Sequence, residues 1–465
     1  MRAPASTSRR DFLKAATITS AVFGGTAAPL LARETRKSSD NRGLPKKVIF
    51  MVSDGMNHGA MSLAQHSRSM FDGKQTNWAT LYREKPVVRA LVETFSANSA
   101  VTDSAAAASA WGGGQRVNNG TINMEAASGR PVEAIQSLLK KRNIPVGLVS
   151  TATITHATPA GFAANVGSRG DEGEIARQYQ ERGVEILLGG GQKFFPEDLV
   201  KKFSNSGYDV LTNRKDLVAA KADDKKPVLG LFSSGYIPLA IDREAKKDLQ
   251  DSIPTLSEMA ELAVKRLDSL AKDQWFLMVE GARIDHCGHA NDAAGSIHEQ
   301  LAFDDAIGAM VAYAAAHEDV LLIVTTDHGC GGIQLNGVNA DPNQGMAPGI
   351  YNGITAAFKK IAGFKRSFEW MGNSGSKLSG PPLIDYLRER TGIELDKDEI
   401  KKAQGLKTGE LAKLFARHHG IAWTSGNHTG ELVEFCAYGP GSHLFPGFMK
   451  NEEVRGKVLQ ALRVA

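Results

Sequence analysis

The sequence predicts an α/β fold: a large, mostly parallel central sheet sandwiched between helices, with a cap/crown-like insertion. Three observations predict it. Short apolar runs of strand type alternate with helical patterns along most of the 465 residues. Several of those runs end in a carboxylate or a histidine, where open α/β sheets present functional groups. Residues 335–424 break the alternation, being rich in Gly, Asn and Pro first and helical in pattern afterwards. No internal repeat is present, and a chain with 42% hydrophobic and 23% charged residues can bury a large core.

The N-terminus stands apart from this pattern. Ser8-Arg9-Arg10-Asp11-Phe12-Leu13-Lys14 precedes a mildly apolar run from Ala15 to Ala32. Twin arginines before such a run resemble a twin-arginine export signal over residues 1–32, which predicts a periplasmic or secreted protein. Residues 33–45 read as a polar, basic linker, and residues 46–465 as one catalytic domain holding the 335–424 insertion. The apolar run is short and rich in Gly and Thr, so no stable membrane anchor is expected in the mature chain. Loss of residues 1–32 removes Arg2, Arg9, Arg10 and Lys14 but only one acid, Asp11, so the formal charge falls from +4 to +1. That balance lacks the basic bias of a nucleic-acid binder. Cys287, Cys330 and Cys436 are too few, and odd in number, for a disulfide framework.

Along the chain, Lys47–Val52 (KVIFMV) is a buried-strand run followed directly by Asp54. Val87–Phe95 is a second run. After it, Ser99–Ala110 turns a polar corner into an Ala-rich helix starting near Ser104, which Gly112–Gly114 stops. A hydroxyl at a helix N-terminus faces unpaired N–H groups and the positive end of the dipole. Such a place suits an anion, or a serine that must become one, although Asp103 or Ser104 could also serve only as a cap. Pro145–Val149 leads to His156, and Val184–Leu188 runs into Gly189–Gly191, read as a turn. Thr255 with Glu258 forms a capping-box pattern before an amphipathic helix. Trp275–Val279 ends at Glu280, and Asp319–Val324 ends before Asp327 and His328. The insertion carries helical patterns at Pro382–Glu389 and Asp396–Ala416; Glu431–Tyr438 is the last strand, and a closing helix spans Asn451–Leu462.

Of the 12 histidines, His156, His286, His289, His328 and His428 fall in these few strand ends and loops. The other seven (His58, His66, His298, His317, His418, His419 and His443) read as ordinary surface or core residues. Asp285 and His289, four apart, can reach one ion if their loop turns helically. Carboxylates and imidazoles converging at strand ends suit zinc, with an oxygen-rich place beside them for magnesium.

On these residues the chain resembles the alkaline phosphatases, the metal-dependent family with a serine nucleophile. The motifs that carry the resemblance include Val52-Ser53-Asp54-Gly55-Met56, Thr102-Asp103-Ser104-Ala105-Ala106 and His156-Ala157-Thr158-Pro159. They continue through Val279-Glu280-Gly281-Ala282-Arg283-Ile284-Asp285-His286, Thr326-Asp327-His328-Gly329 and His428-Thr429-Gly430. No one of them is decisive alone, but their order and number are.

The resemblance implies two Zn2+ and one Mg2+. Ser104 would be the phosphorylated nucleophile and Arg169 the clamp on two phosphate oxygens. Asp285, His289 and His428 would hold one zinc; Asp327, His328 and Asp54 the other. Magnesium would take Asp54, Thr158 and Glu280. His156 and His286 stand where some members have Asp and Lys, so they are expected around the magnesium place and the bound phosphate. Asp103 is expected to orient Arg169. The implied partners are phosphate monoesters and inorganic phosphate, with a homodimer left open. A phosphodiesterase or sulfatase on the same fold, or a non-catalytic metal- or phosphate-binding protein, are the competing readings. The absence of a Cys-x-Pro-x-Arg stretch argues against the sulfatase.

Overall fold

Ten segments pair into one sheet in the computed structural model. In chain order they are β1 (Lys47–Ser53), β2 (Val88–Glu93), β3 (Val146–Thr153), β4 (Ile186–Gly190) and β5 (Asp209–Leu211). Then come β6 (Val228–Leu231), β7 (Trp275–Gly281), β8 (Val320–Thr325), β9 (Val433–Tyr438) and β10 (Phe448–Lys450). Their spatial order is β10-β2-β9-β8-β1-β7-β3-β4-β6-β5. Strand β9 runs antiparallel to β2 and β8, and the remaining pairs are parallel. The structure describes residues 43–465 except 272, 340–350, 353, 376, 404–407 and 465. The expected export segment, 1–32, and the linker up to residue 42 lie outside the described residues.

Strand β1 is buried along its whole length because both of its faces are covered, as a central parallel strand requires. Side chains alternate across it. Ile49 and Met51 join Val149, Leu277, Val279, Leu322 and Val324 in the core under helices α3 (Leu256–Leu270) and α5 (Ala293–Ala316). Val48, Phe50 and Val52 face the opposite core, which holds helices α1 (Ser104–Gly113) and α2 (Ala157–Ala163). Phe50 packs its ring 5.2 Å from Trp111 and 5.5 Å from Phe162. Helices α1 and α2 cross so closely that a Cβ on Gly112 would stand 1.8 Å from the Gly161 carbonyl oxygen. A Cβ on Gly161 would in turn meet Ala108, so the two glycines let the C-terminal half of α1 pack directly on α2.

Helix α3 begins at the expected capping box, with Thr255 accepting from Glu258 N–H and Glu258 from Thr255 N–H. Such a box is worth about 1 kcal/mol. One expectation changes. Gly189 and Gly190 belong to β4 itself, and only Gly191, at φ +94°, turns the chain. A Cβ on Gly190 would meet the Gly235 carbonyl oxygen at 2.2 Å, so glycine there answers a close backbone approach rather than a bend. The pattern over Asp396–Ala416 is helical over Lys397–Ala403 and Thr408–His419, and residues 404–407 lie outside the described residues.

The described part of the insertion is mostly helical. Phe358, Phe364, Phe368 and Phe415 pack it onto the core under α3 and α5. No helix among the described residues is long and apolar enough to cross a membrane.

Glu299 on α5 is 4% exposed and accepts from Ala240 N–H. Burial pushes its pKa from the usual 4.5 to about 7. The unfolded chain releases that proton near its ordinary value, so the stabilisation is complete below about pH 4.5 and is lost as pH rises through about 7. Glu299→Gln is expected to remove this slope. Equilibrium unfolding at about pH 5 and about pH 8 should show the wild type losing on the order of 3 kcal/mol more than the variant.

Candidate active site

The strand ends expected to carry chemistry are neighbours in the sheet. Val52 pairs with Glu280 on one side and Thr325 on the other, which sets Asp54, Glu280 and Asp327 at one edge. All three carboxylates are fully buried. Asp327 Oδ1 accepts from Gly55 N–H at 3.0 Å and from His328 N–H at 2.9 Å. Both oxygens of Asp54, Glu280 Oε1 and Asp327 Oδ2 have no hydrogen-bond partner.

Ser104 is the first residue of α1, capped by Asp103, whose side chain accepts from Ala106 N–H. Its hydroxyl is buried, 3.2 Å from His328 Nε2. Asp103 Oδ2 also accepts from Gly120 N–H at 2.9 Å and from Arg169 Nη1 at 3.1 Å. The Arg169 fork therefore stands over the N-terminus that carries Ser104.

Asp285 and His289 share helix α4 (Arg283–Ala290), one turn apart, and His428 lies on a two-residue strand, His428–Thr429, paired with Gly329–Cys330. His289 donates Nδ1–H to the Gly426 carbonyl at 2.8 Å, and His428 donates Nδ1–H to the Thr102 carbonyl at 2.9 Å. A carbonyl can only accept, so each imidazole, when neutral, keeps its lone pair on Nε2, and the two Nε2 atoms stand 3.0 Å apart. Asp285 oxygens stand 3.3 Å from one and 3.4 Å from the other. Two imidazoles and a carboxylate that converge in this way are the donor set of a cation, which takes the place of any proton between them.

Three such groups occur among the described residues: Asp285, His289, His428 and Cys330; Asp54, Asp285 and His328; and Asp54, His156 and Glu280. Thr158 Oγ1 and His156 Nδ1 are buried without partners. Arg169 Nη2 donates to His156 Nε2 at 3.3 Å. His286 lies with its ring 5.7 Å from that of His156 and 4.5 Å from Tyr236.

The electrostatics follow from burial and crowding. Burial, then the charges of Asp327, Asp285 and Glu280, holds Asp54 well above the usual carboxylate range. Burial also lifts Glu280 to about 7, although the Ser150 hydroxyl works against it. The hydrogen bond to Asp285 raises His289 to about 9, so its Nε2 holds a proton that a bound cation would displace. Burial, then the charge of Arg283, lowers His286 to about 3, so its imidazole is neutral. Mutually repelling buried carboxylates of this kind are stabilised by bound divalent ions.

The structure brings every expected site residue into this one region. Sequence reasoning missed Cys330, Arg283 and Tyr236. Cys330 lies two residues beyond His328 and directly across the short ladder from His428, so its spacing from Asp327-His328 was a usable signal. Tyr236 follows a four-residue strand and offered none.

The family model "Alkaline phosphatase" matches residues 45–464. Alkaline phosphatase 3 of Bacillus subtilis (strain 168) is 32% identical, over 96% of this chain and 94% of its own length. The solved alkaline phosphatase of Thermus thermophilus superposes with a TM-score of 0.80 at 28% identity, covering 94% of this chain and 96% of that one. A variant of the alkaline phosphatase from the Antarctic bacterium TAB5, with one histidine replaced by aspartate and Mg bound in its M3 site, superposes with a TM-score of 0.64. It is 26% identical and covers 90% of this chain and 99% of that one.

Proposed function

Because this chain belongs to the alkaline phosphatase family, and so is a phosphatase of phosphate monoesters, we propose that it works through a phosphoserine at Ser104 beside two zinc ions and one magnesium ion. The observation that carries this reading is the Ser104 hydroxyl at a helix N-terminus, 3.2 Å from His328 in the midst of converging, donor-poor acceptors. Asp285, His289 and His428 would hold one zinc; Asp54, Asp327 and His328 the second; Asp54, Thr158 and Glu280 the magnesium. These ligand types suit those ions. Bound there, the ions supply Lewis-acid activation of a hydroxyl nucleophile and neutralise the leaving oxygen.

The chain's own residues do the rest. Arg169, steadied by Asp103, clamps two phosphate oxygens with its planar fork. The N–H groups at the start of α1 face the same phosphate. Ser104 Oγ forms a bond to phosphorus while the bond to the alcohol oxygen breaks, and the alcohol leaves with a proton. Water then attacks the phosphoserine, releasing inorganic phosphate and restoring the hydroxyl. Residues 46–465 form the catalytic domain in this reading, and the 1–32 segment directs export to the periplasm or medium.

Rates on a phosphate monoester, a diester and a sulfate ester, with metal content measured on the same sample, test the reading. Monoester hydrolysis far above the other two is expected, and a preference for diester or sulfate would overturn it.

His156 adds a nitrogen to the otherwise oxygen-rich third group, which weakens that group's preference for magnesium over zinc. The TAB5 variant that binds Mg in its M3 site carries aspartate in place of a histidine. His156→Asp is accordingly expected to increase activation by added magnesium by about tenfold in magnesium affinity. A magnesium titration identical to that of the wild type would refute it.

A further inference from the structure

We propose that Arg283 is a positioning residue for phosphate capture: it holds His286 as the tautomer whose Nε2 carries the proton, and Glu369 of the inserted segment holds Arg283. This rests on the phosphate-monoester reading of the site.

Arg283 opens helix α4 and is 2% exposed. Its Nη1 lies 2.8 Å from His286 Nδ1. A guanidinium has only donors, so Nδ1 must accept, and a neutral imidazole that accepts at Nδ1 carries its proton at Nε2. The second arm, Nη2, donates to Glu369 Oε2 at 2.7 Å. One group thus serves an imidazole and a carboxylate at once, which a forked guanidinium can do and an ammonium on a flexible stem does poorly. Tyr236 closes the arrangement, its ring 5.2 Å from the guanidinium carbon and 4.5 Å from the His286 ring.

Glu369 does not reach this place by chance of a loose loop. Two residues before it, Ser367 donates from its backbone N–H to Asp242 Oδ1 at 3.1 Å and from its hydroxyl to Asp242 Oδ2. Phe368 donates its N–H to Asp292 Oδ2 at 2.6 Å. Both acids are buried, and Asp292 also caps helix α5. The inserted segment is therefore pinned to the body immediately before the carboxylate that grips Arg283. The relay ends at His286, beside His156 and hence beside Arg169, where its Nε2–H is a neutral donor for a phosphate oxygen that the Arg169 fork does not take. Without Arg283 the imidazole is free to place its proton on either nitrogen, and the donor is lost part of the time.

The metal-loaded full chain, labelled with 15N at histidine, gives the first test without substrate. The His286 signal, assigned by its loss in His286→Asn, is expected to show a protonated Nε2 and a bare Nδ1. A protonated Nδ1 would overturn the proposal. Inhibition by inorganic phosphate gives the second test. Arg283→Met is expected to raise Ki about three- to tenfold, the loss of one hydrogen bond. In a His286→Ala background the same substitution should add nothing, since both act through one donor. Full additivity would defeat the relay. Glu369→Ala removes a half-exposed carboxylate and spares the fold, so it repeats the cycle should Arg283→Met fail to fold. It is expected to raise Ki about twofold, again only when His286 is present. A wild type that neither binds phosphate nor hydrolyses monoesters would instead count against the functional reading, and the tautomer measurement stands apart from that outcome.

Discussion

Ser104→Ala is expected to lower kcat/KM for a phosphate monoester by about four orders of magnitude or more, the scale seen when a nucleophile is removed from a preorganised site. The clamp and ion ligands stay in place, so a residue of activity from phosphate binding is expected to remain. Folding should be untouched. The helix is capped by Asp103, not by Ser104, and alanine is the better helix former. The hydroxyl meets the His328 side chain and not a backbone group of the helix end. Thermal unfolding is the control, with a change of less than about 1 kcal/mol expected. Trapping radiolabelled phosphate on the wild-type chain at low pH should label one serine, and the variant should take up none. Full activity in the variant would end the phosphoserine mechanism.

Metal removal is expected to abolish activity and to weaken the fold together. Asp54, Glu280, Asp285 and Asp327 are all at most 4% exposed and lie side by side. Several of their oxygens have no hydrogen-bond partner. Ions that bind only the folded chain stabilise it by mass action, about 4 kcal/mol for each site held at a thousand times its Kd. Dialysis against a strong chelator should therefore lower Tm as activity falls, and zinc with magnesium should restore both. Elemental analysis is expected to find two zinc and one magnesium per chain. Asp285→Ala, which removes a carboxylate shared by two of the groups, should lower the zinc count and the activity by at least about a hundredfold. A chain shown to be free of metal yet fully active would refute this.

Much of the site was legible because its parts are local. The Ala-rich run after Asp103-Ser104 specifies a capped helix within a few residues, and Asp285 with His289 needs a single turn of helix to share a face. Strand-end acids are legible because each ends a continuous apolar run. The ligand partners are not local. His428 reaches Thr102 across 326 positions, and Arg283 reaches Glu369 across 86. Neither pairing leaves a periodicity to read.

The sequence by itself therefore determined the α/β class, the central strands, the capping of α1 and α3, and which residue types could meet an ion. Those properties depend on side-chain period and on hydrogen bonds spanning one turn, both written into consecutive residues. Only the tertiary structure decided that β8, β1, β7 and β3 lie side by side, and that β9 runs against its neighbours. It also decided that Cys330 faces His428 and that the insertion grips Arg283. Strand order and loop convergence follow from burying both faces of one sheet at once, a condition that distant segments satisfy together and no single stretch encodes.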